Sequence, residues 1–171
     1  MRKILLTLIL IGSITTAFAQ KADPEKFSIG LEGGIPLASA RAYSTFTVGG
    51  SLKYNFTIND KVSLTASAGY IYFPYRADAT IPFVGYGTTN KGEGYIPLKG
   101  GVKYFISDVF YAEGQAGAAI STATGGGTAF AYSPGVGYRF DTHADIGIRF
   151  ESWLQNNSTI NQVALRLAYS F

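Results

Sequence analysis

Apolar and polar residues alternate with period two along most of the chain from residue 26 to its last position. One short phrase recurs four times: an apolar residue, any residue, Tyr, any residue, then Phe or Ile. The copies are Leu52-x-Tyr54-x-Phe56, Val102-x-Tyr104-x-Ile106, Val136-x-Tyr138-x-Phe140 and Leu167-x-Tyr169-x-Phe171. The first three run straight into turn residues, and the fourth ends on Phe171. Period-two alternation predicts β-strands with one apolar face. A Tyr and a Phe at one end of such a face suit a water–hydrocarbon boundary, where a ring is half wet and half apolar. Every second strand of an up-and-down transmembrane barrel ends at the same boundary.

The alternation divides into eight segments, at 26–37, 45–58, 61–73, 95–106, 109–120, 128–140, 144–154 and 161–171. At about 3.3 Å per residue and a tilt near 45°, some 11 residues rise about 25 Å, the height of the apolar band on such barrels. The connections alternate in length. Asn59-Asp60, Ser107-Asp108 and Asp141-Thr142-His143 are tight turns of turn-forming residues. The connections at 38–44, 74–94, 121–127 and 155–160 are longer. Short periplasmic turns with long loops on the other side are the outer-membrane pattern. The sequence thus predicts an all-β fold, an eight-stranded antiparallel up-and-down transmembrane β-barrel.

The charges separate by phase. One face carries Phe27, Ile29, Leu31, Leu52, Tyr54, Leu64, Tyr70, Val102, Phe130, Val136, Ile148, Leu165 and their alternating neighbours, and no charge. The opposite phase carries Lys53, Lys99, Lys103, Arg139, Arg149 and Arg166, with Glu32, Glu113, Asp145 and Glu151. A charge facing lipid costs about 2–4 kcal/mol at mid-bilayer, so strict exclusion is expected there. A soluble barrel, lipocalin-like, predicts the reverse: apolar inside and charged outside. The glycines at 33–34, 49–50, 100–101, 114 and 117 fit the bends of a narrow barrel.

The start of the chain adds an address. Met1-Arg2-Lys3, an apolar run from Ile4 to about Ile14 and Ala17-Phe18-Ala19 form the n-region, h-region and cleavage site of a signal peptide. Residues 1–19 are expected to be removed, leaving 20–171 as one barrel domain. Without Arg2 and Lys3 the formal charge falls from +3 to +1, which gives no support to nucleic-acid binding. The chain has no Cys, which excludes disulfides, thiolate metal sites and a lipid anchor at the cleavage site. One His and no Cys point to no metal and no cofactor.

On these features the chain resembles the small eight-stranded outer-membrane proteins of the OmpA/OmpX type, and more broadly the bacterial outer-membrane β-barrel domain family. The carriers are the strand plan, the inward charges and the terminal Val163-x-Leu165-x-Leu167-x-Tyr169-x-Phe171. The resemblance implies a place in the bacterial outer membrane, with outer-membrane lipid and the assembly machinery as partners. It implies that Leu165, Leu167, Tyr169 and Phe171 form the signal that machinery reads. It does not imply one activity, because such barrels include anchors, adhesins, solute pores and a few lipid enzymes.

The candidate chemistry is sparse. The ten inward charges predict a polar network that fills the lumen, since an eight-stranded interior is just wide enough for side chains. Buried charges persist only when paired. A water-filled path for small polar or amphipathic solutes is the alternative. His143 lies in a short turn, away from the long loops, and reads as a solvated residue rather than a catalytic one. Gly125-Gly126-Gly127 lacks the following Lys-Ser/Thr of a phosphate loop. Trp153 falls in the inward phase and is expected to stack beside Arg149 or Glu151. The 74–94 loop carries Tyr75, Arg76, Phe83 and Tyr86, aromatics amid Gly and Thr that suit contact with a surface ligand. The expected role is therefore non-enzymatic: a membrane scaffold with loop-mediated contact or adhesion.

Overall fold

The computed structural model describes residues 26–76, 92–155 and 158–171. The expected signal peptide, together with Phe83 and Tyr86, lies outside the described residues. Eight strands are β1 (Phe27–Leu37), β2 (Thr47–Asn59), β3 (Val62–Pro74), β4 (Gly92–Phe105), β5 (Phe110–Ser121), β6 (Thr128–Arg139), β7 (Ala144–Gln155) and β8 (Ser158–Ser170). Each pairs antiparallel with its neighbour in sequence, and β1 pairs with β8 to close the barrel. Closure leaves no strand edge unpaired, the condition for strands to stand in hydrocarbon.

The expected phase holds around the wall. Apolar side chains such as Leu31 (73% exposed), Ile58 (59%) and Phe130 (57%) point outward. Ser28, Ser51, Thr65, Gln115, Ser133 and Gln162 point inward and are buried. Two aromatic belts ring the outer surface. At the short-turn end lie Tyr54–Phe56, Phe110–Tyr138 and Tyr169–Phe171, with ring centroids 4.5, 5.0 and 5.1 Å apart. Phe46, Tyr70, Phe130 and Tyr132 stand exposed nearer the long connections. Amphipathic rings at both ends bracket an apolar band, as at two membrane interfaces.

Short side chains shape the turns. Asn59 Oδ1 accepts from the N–H groups of Lys61 (3.0 Å) and Val62 (2.9 Å). Ser107 Oγ accepts from Phe110 N–H at 3.1 Å. Asp141 Oδ1 accepts from His143 N–H (2.6 Å) and Ala144 N–H (2.8 Å). Each side chain stands in for a missing backbone partner and tightens the hairpin. The two N–H donors hold the Asp141 carboxyl below the usual aspartate range. Its contribution is therefore present above the unfolded-state value and is lost as pH falls through the depressed one. We expect a carboxyl titration followed by NMR to place Asp141 below the ordinary aspartate value. A midpoint at the ordinary aspartate value would contradict the capping role.

Two local features go beyond the alternation. The 38–44 connection contains a 3-10 helix, Ala38–Ala42, where a plain loop is expected. Ala38 enters it at φ 49°, and Tyr43 and Ser44 N–H groups close it onto the Ala40 carbonyl at 3.2 and 3.1 Å. Gly101 and Gly117 sit where a Cβ would strike the carbonyl oxygens of Gly114 and Leu98 on the adjacent strand. Close strand approach on this side of the barrel requires glycine at both.

Candidate functional site

The middle of the lumen is an ion-pair network. Lys53 on β2 meets Glu113 on β5 at 2.8 Å. Lys99 on β4 meets Glu151 on β7, and Arg149 on β7 meets Glu32 on β1. Arg149 also lies 3.5 Å from Glu151, and Arg166 on β8 lies 3.8 Å from Glu32. Neutral groups complete the layer. Gln162 donates to Glu151 (3.0 Å), Gln115 to Glu113 (3.2 Å), and Arg166 to Ser51 (2.9 Å) and Ser28 (3.1 Å). The Arg166 guanidinium lies against Gly30, where a Cβ would occupy its place. Strand order explains the geometry: inward residues of non-adjacent strands reach each other across a narrow bore, while Arg166 and Glu32 are register partners on the β1–β8 seam.

The short-turn end holds the remaining three inward charges. The Lys103 ammonium stands over the Tyr111 ring (3.9 Å to centroid) and the Phe105 ring (4.8 Å). Tyr111 donates to Asp145 at 2.7 Å, and its ring fills the space over Gly137. Arg139 stacks over Phe105 at 4.6 Å and donates to the Asp108 carbonyl. Aromatic faces thus bear two of the cations here, a contact that is stronger when desolvated.

The opposite end is apolar. Phe73, Tyr95 and Trp153 pack as a trio with centroids 5.0 to 5.5 Å apart, backed by Ile71, Ala119, Ala129 and Ala131. This corrects the expected stacking of Trp153. Its ring partners are Phe73 and Tyr95, because those strands place aromatics level with it while Arg149 is drawn to Glu32 and Glu151. Alternation alone puts Ile71, Phe73 and Tyr95 in the inward phase. Phe73 and Tyr95 sit near strand ends, where aromatics also suit the lipid boundary.

Above the trio, Glu93 accepts from Tyr75 Oη (3.0 Å) and Ser121 Oγ (2.6 Å). Burial and the neighbouring Glu93 push the Tyr75 hydroxyl up, which keeps it a donor. Tyr75 is therefore committed to the rim. Arg76 is exposed, and its N–H donates to the Tyr43 carbonyl at 2.8 Å, which joins two of the long connections.

What remains open in the lumen is small. Two cavities of about 20 Å³ each lie among the central charges. Each has room for about one water. Among the described residues no His, Cys, Asp and Glu cluster suits a metal ion. His143, the sole histidine, stacks on Tyr169 at 5.8 Å at the short-turn end. The Ser121–Glu93 contact at the other end thus has no imidazole to act as a base. Leu165, Leu167, Tyr169 and Phe171 all face outward on the closing seam, where Phe171 N–H donates to Phe27 carbonyl at 2.9 Å.

Comparison with known proteins follows the same lines. None of the curated proteins compared with it matches. Among solved structures, Ail, the attachment invasion locus protein of Yersinia pestis, is 17% identical with TM-score 0.58, covering 85% of this chain and 97% of Ail. Another Ail structure, in complex with the heparin analogue sucrose octasulfate, is 16% identical with TM-score 0.56, covering 85% and 97%. The N-terminal β-barrel domain of Pseudomonas aeruginosa OprF is 15% identical with TM-score 0.57, covering 86% and 98%. The outer membrane enzyme PagL is 16% identical with TM-score 0.57, covering 82% and 97%. At these identities the likeness is one of fold. The sequence itself matches the outer membrane protein beta-barrel domain over residues 5–171. With that match spanning the chain, and eight strands closed around inward charges, the protein belongs to the outer-membrane β-barrel domain family.

Proposed function

We propose that this outer-membrane barrel is a non-enzymatic scaffold whose long connections make contacts at the cell surface. The observation that carries this reading is the filled lumen. Paired charges occupy its middle and an aromatic trio its loop end, with cavities of only about 20 Å³ among the central charges. A plugged bore moves function to the rim. In this reading residues 1–19 are removed on export, the short turns face the periplasm, and the outward Leu165, Leu167, Tyr169 and Phe171 are read during assembly.

The rim favours an anionic partner. Arg41 is exposed there, and Glu93 accepts from Tyr75 and Ser121. The sulfated sugar bound by Ail supplies a probe class with that chemistry. Lumen transport is the competing reading, and conductance separates the two. The refolded protein in a planar bilayer is expected to be silent, and cells carrying it are expected to lose adhesion when 76–91 is replaced by a short turn. Discrete conductance steps would favour transport, and unchanged adhesion by the loop-replaced protein would defeat the contact reading.

A further inference from the structure

We infer that the middle of the lumen binds one halide-sized monovalent anion, held by Arg166 and Arg149 beside Lys53. Three independent observations converge on it. The first is charge. Among the described residues, the central layer carries Lys53, Lys99, Arg149 and Arg166 against Glu32, Glu113 and Glu151. Every carboxylate already has a cation, and one cation remains in excess. An uncompensated charge in a low-dielectric interior costs several kcal/mol.

The second is donors. Arg166 Nη1 and Arg149 Nε are buried, and neither reaches an acceptor, although Arg166 is only 5% exposed. The third is space. The first central cavity, about 20 Å³, is lined by Arg166, Arg149, Lys53, Glu113, Tyr111 and Ser133. Ser133 Oγ accepts from Lys99 at 3.4 Å, which leaves its own O–H to give. Three cations and one carboxylate around one small cavity favour an anion over water. Water satisfies the donors but leaves the excess charge in place. The volume limits the anion to a single atom the size of chloride or bromide. Its route is the short-turn end, where Lys103 and Arg139 stand, since the aromatic trio closes the other.

The site is independent of the surface-contact reading, and neither stands or falls with the other. The protein refolded in lipid nanodiscs is heated in chloride, bromide or gluconate at constant ionic strength. Chloride and bromide are expected to raise the unfolding midpoint by several degrees, saturably, and gluconate to have no such effect. Crystals grown in bromide are expected to show one anomalous peak beside Arg166 Nη1. Arg166→Gln removes the guanidinium and its charge, and Lys99→Met equalises the charges; both are expected to abolish the halide dependence. Lys99→Met carries the test if Arg166→Gln does not fold, and the bromide crystals decide if neither folds. Equal midpoints in chloride and gluconate, an undiminished halide effect in either folded variant, or bromide crystals without the peak would overturn the inference.

Discussion

Replacement of Glu151 by Ala is expected to destabilise the barrel by about 3–5 kcal/mol, as measured by urea unfolding of the protein refolded in lipid vesicles. Glu151 is fully buried and accepts from Lys99, Arg149 and Gln162. Truncation strands an ammonium in the interior and removes one of two acceptors from a guanidinium. The loss arises mainly from the cations left behind, so the variant carrying both Glu151→Leu and Lys99→Met should recover much of it. Glu113→Ala is expected to cost less. Its side chain is 14% exposed and accepts from Lys53 and Gln115. A change below about 1 kcal/mol for Glu151→Ala would mean that the central pairs are not load-sharing.

Trp153→Ala should have a comparable effect for a different reason. The indole is 1% exposed and wedged between Phe73 and Tyr95 at 5.5 and 5.0 Å. Its removal leaves a void that the rigid strand wall does not collapse into, which costs about 3–5 kcal/mol. Because Trp153 is the sole tryptophan, its fluorescence reports this layer directly. In the folded wild-type barrel it should resist quenching by acrylamide added from either side. Free quenching in the folded state would show that the trio is no seal. The charged layer beneath still fills the bore, so the Trp153→Ala barrel is expected to stay silent in a bilayer.

Strand identity was legible because a single constraint acts on every strand: lipid outside, charge inside. All eight strand starts fall within three residues of those expected from alternation; β4 begins three residues early, at Gly92, because Glu93 continues the inward phase to meet Tyr75 and Ser121. The 3-10 turn at Ala38–Ala42 was not legible, since Ala-Ser-Ala carries no period and the turn depends on a positive φ at Ala38. Pairing was not legible either. That Lys53 finds Glu113 and not Glu32 depends on the stagger of strands across the bore, which no local pattern encodes. The apolar seal was hidden for a subtler reason. Phe73, Tyr95 and Trp153 have the right phase, but each sits near a strand end, where aromatics also serve the membrane boundary.

The ion pairs also constrain how the protein enters the membrane. Lys53–Glu113, Lys99–Glu151 and Arg149–Glu32 lie 60, 52 and 117 residues apart in sequence. None of them joins two strands of one hairpin. A lone hairpin, or a sheet still open at the β1–β8 seam, presents these charges to lipid without their partners. Partly inserted intermediates are thereby penalised several times over. Neutralisation waits for the circle to be complete, so insertion and closure are coupled into one cooperative event.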